Sequence, residues 1–169
     1  MIYFHNSIKA FHLKPASIKE IKEELQALNS PDLADLLMRL GKFKKENKEL
    51  LTYLLLYKQD EQRYIAEIKE SMHIMFTEVN IKASYITKKN LRKILRTTNR
   101  YIKYTPEKET EIELLFFFIE ELNVLGIDIP KIAALQKLHA TVMSRIQKNI
   151  LSLHEDLQYD YNKKFEELK

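Results

Sequence analysis

Eight basic residues fall between Ile81 and Tyr104 (Lys82, Lys88, Lys89, Arg92, Lys93, Arg96, Arg100 and Lys103), and no Asp or Glu interrupts them. The chain of 169 residues carries 28 Lys and Arg against 24 Asp and Glu, a net charge of +4. Without those eight, 20 basic residues face 24 acidic ones, so the whole positive excess sits in this one stretch. Read as a helix at about 100° per residue, Lys89, Arg92, Lys93, Arg96, Arg100 and Lys103 share one sector of about 100°, opposite Leu91, Ile94, Leu95, Thr98 and Ile102. Like charges three and four residues apart repel by a few tenths of a kcal/mol per pair, which chain folding alone gives no reason to accept. A bound phosphate backbone offsets that repulsion, and Tyr85, Tyr101 and Tyr104 nearby are of a type that stacks on bases. Two other readings stay open. The face is solvated and partly neutralised by the following segment, where Glu107, Glu109, Glu111, Glu113, Glu120 and Glu121 outnumber Lys108; or it meets an acidic protein.

Other chemistry is scarce. There is no Cys, which excludes disulfides, thiolate metal sites and cysteine nucleophiles. Gly41 and Gly126 are the only glycines, too few for a glycine-rich phosphate loop. Glu70 and His73 have the Glu-x-x-His spacing of di-iron bundles, but that motif must occur twice and here does not, since Gln136 precedes His139 and Leu151 precedes His154 at that spacing. His5 and His12 lie in a segment with nothing to fix their geometry, and the Met72, Met75 and Phe76 cluster has the spacing of a helical core. No nucleophile, base and orienting group occur together. The expectation is a non-enzymatic protein without metal or cofactor.

The elements that must carry these residues are helices. Two Gly and four Pro leave little turn chemistry for a β-rich fold. Ser17 to Glu20 fits a capping box opening a helix with Ile18, Ile21, Leu25 and Leu28 on one face. Ser30-Pro31 reads as cap plus proline, Gly41 as the left-handed residue ending that helix, and Leu33, Leu36, Leu37 and Leu40 as its stripe. Lys44 to Tyr57, apolar nearly all round, is the expected centre of the core. Breaks are expected near Asp60 and Asn80 to Lys82. Thr105-Pro106 and Gly126 then bracket a helix that forms an antiparallel hairpin with the basic one.

Beyond Pro130 the stripe Ile132, Leu135, Leu138, Val142, Ile146, Ile150, Leu153, Leu157, Tyr161, Phe165 and Leu168 predicts one C-terminal helix about 55 Å long. It either projects, with Leu153, Leu157, Tyr161 and Phe165 as a self-association seam, or lies across the stack or breaks near Ser152. The longest apolar runs fall short of the roughly 20 residues that span a bilayer, and the first fifteen residues lack a secretory pattern, so a cytoplasmic location is the expectation.

Leu28 to Leu40, Phe43 to Leu55 and Asn90 to Tyr101 together resemble small bacterial all-helical proteins built from HEAT-like helical hairpins, a resemblance that implies architecture and no catalytic residue or ligand. The fold expected is all-α, about seven helices in antiparallel hairpins, as an irregular bundle or short α-solenoid. Its divisions are an N-terminal arm (1–16), a helical-hairpin domain (17–129) and the long C-terminal helix (130–169). Two functions follow: a scaffold or adaptor that holds a protein partner or a second copy of itself, or a nucleic-acid-binding accessory protein acting through Lys89, Arg92, Lys93, Arg96, Arg100 and Lys103.

Overall fold

The computed structural model describes residues 14–81 and 84–168, and among them every regular element is a helix. His5, His12, Lys82 and most of the arm lie outside the described residues. Two units divide at Lys48 and Glu49.

In the first unit, α1 (Ile18–Ala27) opens on the expected capping box: the Glu20 amide donates to the Ser17 hydroxyl and the Glu20 carboxylate accepts from the Ser17 amide at 2.7 Å. α2 (Ser30–Phe43) starts one residue earlier than the sequence suggested, because the Asn29 side chain caps the Asp32 amide at 2.9 Å. Gly41 does not end this helix. It lies within α2, whose last turn is closed by Asn47 Nδ2 donating to the Leu40 carbonyl at 2.9 Å. Neither α1 nor α2 buries a side chain. α3 (Lys45–Thr52) then crosses the division.

The second unit continues through a π-helical turn, Tyr53–Tyr57, in which the Lys58 amide donates to the Tyr53 carbonyl five residues back. Lys44 to Tyr57 is not the centre of the core. Only Tyr53 is buried, and Leu55 is 75 % exposed. The centre is α6 (Lys108–Val124), where Ile112, Leu114, Leu115, Phe116, Phe118, Ile119 and Leu122 are fully buried. Its apolar residues spread round much of its circumference, and α4 (Glu61–Thr77), α5 (Ser84–Ile102) and α7 (Ala133–Ile150) all pack on it. Gly126 ends α6 with a left-handed φ of 63°, the conformation its missing Cβ permits.

The C-terminal stripe does not form one helix. It breaks at Leu151 to His154, where the Ser152 amide and hydroxyl both turn back on the Asn149 carbonyl, and α8 (Glu155–Glu167) follows. Three of the four residues expected in a self-association seam face inward: Phe165 is 3 % exposed, Tyr161 stacks on Phe116 with ring centres 6.2 Å apart, and Leu153 packs against the core, while Leu157 is half-buried. Folding back buries the same apolar side chains that a partner helix would have covered.

Candidate functional site

The basic residues are positioned by the inner face of α5. Thr87, Leu91, Ile94, Thr98 and Ile102 are buried, and the two threonines satisfy their hydroxyls locally, Thr87 donating to the Asn80 carbonyl at 2.7 Å and Thr98 to that of Ile94 at 3.1 Å. With that face fixed, the opposite one must point to water. Lys89, Arg92, Lys93, Arg96 and Lys103 are exposed, and none has an ion-pair partner among the described residues. From Lys89 to Lys103 the ridge runs about 21 Å.

Arg100 stands apart from the other five. Its Nε is 2.8 Å from a carboxylate oxygen of Glu49, its Nη2 donates to the other at 3.2 Å, and its side chain is 29 % exposed. The Tyr104 hydroxyl donates to the same carboxylate at 2.8 Å, and Tyr101 packs edge-on against Tyr104. Of the three tyrosines expected beside the ridge, only Tyr85 stays freely exposed, and its angular position lies within the basic sector. Glu49, 51 residues from Arg100, gave no sign of this role in the sequence.

Four of the acids of α6 are engaged elsewhere. Glu111 accepts from Arg145 Nε of α7 at 2.6 Å and from Asn149. Glu113 accepts from Lys69 of α4 at 2.8 Å and lies 3.5 Å from Lys164 of α8. Burial works against the charge of Glu113, but the two ammonium groups outweigh it and hold its carboxyl below the usual range. Glu120 lies 3.7 Å from Lys164, and Glu121 is 3.1 Å from His73. Among the described residues no pair joins these four acids to the α5 ridge, because they sit on the flanks of α6 that face α4, α7 and α8.

The Glu70 and His73 pair is split by this arrangement, since His73 faces Glu121. Among the described residues, no group of three or more His, Asp or Glu is placed to hold a metal ion, and no helix is long and apolar enough to cross a membrane. A scan against protein-family models, a search of curated proteins and a search of solved structures each find no match to this chain.

Proposed function

We propose that this chain is a non-enzymatic helical protein that binds the phosphate backbone of a nucleic acid along the outward face of α5. The observation that carries the reading is the set of five cations on one face of a helix without an acid, with no ion-pair partner among the described residues, beside Glu111, Glu113, Glu120 and Glu121 of α6, which pair with other helices. Five phosphate contacts release five counterions, so log affinity falls against log salt with a slope of about −4.5 for duplex or about −3.5 for a single strand. Affinity then drops about 500-fold or about 100-fold between 50 and 200 mM salt. Fluorescence anisotropy with generic DNA and RNA tests this. Arg92→Glu combined with Arg96→Glu abolishes binding while helicity stays intact. Absence of binding at about 50 mM salt, affinity that ignores salt, or binding unchanged in the double variant overturns the reading.

A second reading, self-association through α2, rests on a different observation. Leu36, Arg39, Leu40 and Phe43 line an open groove, with Phe43 76 % exposed. Burial of apolar surface of this kind drives helix pairing between copies. Sedimentation equilibrium of the full chain shows a dimer that Leu40→Asp with Phe43→Asp dissociates. A monomer at all accessible concentrations removes this reading and leaves the first untouched.

A further inference from the structure

Glu49 and Thr52 at the end of α3, the π-helical turn, α4 and α5 line a partly open cavity of about 230 Å³. Its walls are Tyr53, Tyr57, Tyr64 and Tyr101, with the carboxylates of Glu49 and Glu67 at its lining and no Lys or Arg among its lining residues. The rings are not stacked flat. Tyr53 and Tyr64 are 4.7 Å apart and tilted by 53°, and Tyr57 and Tyr64 are 5.5 Å apart and tilted by 45°, so they stand as angled walls. Phenol rings present electron-rich faces that attract ammonium and guanidinium groups. Two of these rings already do so: Arg63 lies 5.3 Å from the Tyr57 centroid and Arg100 lies 5.4 Å from that of Tyr101.

Three carboxylates stand in or beside the cavity. Glu49 is paired with Arg100 and Glu67 with Arg63. Glu61 is a third carboxylate, reached by the Tyr53 hydroxyl, and its bonding partners Tyr53, Thr105 and Thr110 are all uncharged. Burial and neighbouring carboxylates raise the Tyr53 and Tyr64 phenols above their ordinary range, which keeps both rings neutral. Glu67 and Ser71 are shared with a second groove along α4 that continues through Ile74 and Met75 to Glu70 and Glu78. Neither Glu70 nor Glu78 has an ion-pair partner among the described residues.

We infer that the tyrosine-walled cavity and the groove beside it form a binding site for a linear aliphatic polyamine, one ammonium group seated among Tyr53, Tyr57, Tyr64 and Tyr101 and the chain extending toward Glu70 and Glu78. The methylene segments lie on Ile74 and Met75, and each further ammonium meets a carboxylate. The inference does not depend on the nucleic-acid reading, because no residue of the α5 ridge lines either space.

Calorimetric titration of the full chain without nucleic acid tests the site, with spermidine as the elongated cation, tetramethylammonium as the head alone and neopentyl alcohol as its neutral counterpart. Both cations bind saturably and the alcohol does not. Tyr57→Leu weakens both about tenfold, whereas Tyr57→Phe, which keeps the ring, binds as the parent does. Glu70→Gln with Glu78→Gln weakens spermidine about tenfold and leaves tetramethylammonium unchanged. Arg92→Glu with Arg96→Glu leaves both cations bound. Should Tyr57→Leu lose its circular dichroism signal, Tyr101→Leu replaces it. Absence of saturable binding at millimolar cation, equal binding of the alcohol, or tight binding that survives loss of the ring overturns the inference.

Discussion

The Arg100 guanidinium is 2.8 Å from the Glu49 carboxylate, whereas Arg96, one turn earlier on the same helix face, meets no acid among the described residues. Arg96→Ala should therefore reduce the salt slope of nucleic-acid binding by about 1 and leave the urea midpoint unchanged. Arg100→Ala should do the reverse, because it removes the guanidinium that helps hold the largely covered Glu49 carboxylate, at a cost of about 1 kcal/mol. Salt-dependent anisotropy and urea unfolding, run on both variants, separate the two roles.

Truncation in α6 should be costly. Phe118 is fully buried and meets Phe76 edge-on with ring centres 5.4 Å apart. Phe118→Ala should cost about 3–5 kcal/mol, and Phe165→Ala on α8 about 3 kcal/mol. A shift in sedimentation coefficient without loss of stability in Phe165→Ala would contradict the inward placement of α8.

At Gly126 the expense is in the backbone alone, since an added Cβ meets nothing within 4 Å. Gly126→Ala should lower stability by about 1 kcal/mol through the left-handed φ, and Gly126→Asn by less. Equal stability of the alanine variant would show that α6 ends in another conformation.

Acid should act in two windows. Burial holds the half-buried His139 below its ordinary value of 6.5, so the unfolded chain takes up that proton first and stability falls as pH drops below about 6.5 toward the folded value. Glu113, depressed from 4.5 despite its burial by the pairs with Lys69 and Lys164, contributes stability that is present above about 4.5 and lost as pH falls toward its folded value. Urea midpoints against pH check both: His139→Gln should flatten the upper window and Glu113→Gln the lower.

What could be read from residues alone follows the range of the forces involved. The capping box at Ser17 and Glu20 and the outward face of α5 depend on neighbours three and four residues apart, and both are found as the spacing predicts. The pairing of Glu49 with Arg100 and the use of Glu111 by Arg145 join positions far apart in the chain, which no local pattern encodes. Ile150, Leu153 and Leu157 keep steps of three and four straight through the break at Ser152, so periodicity could not choose between one continuous helix and the break near Ser152 that also stood open. Leu54, Leu55 and Leu56 read as core because they are apolar, yet all three are exposed.

The wide turn at Tyr53–Tyr57 holds one residue more than a regular helix would need for the same loop. Excising any one of Leu54, Leu55 or Leu56 would let an ordinary α-helical turn close in its place and shift Tyr53 by only about 30° with respect to Tyr57. The wide turn is thus a one-residue insertion whose loss the flanking helices can absorb with little change of register.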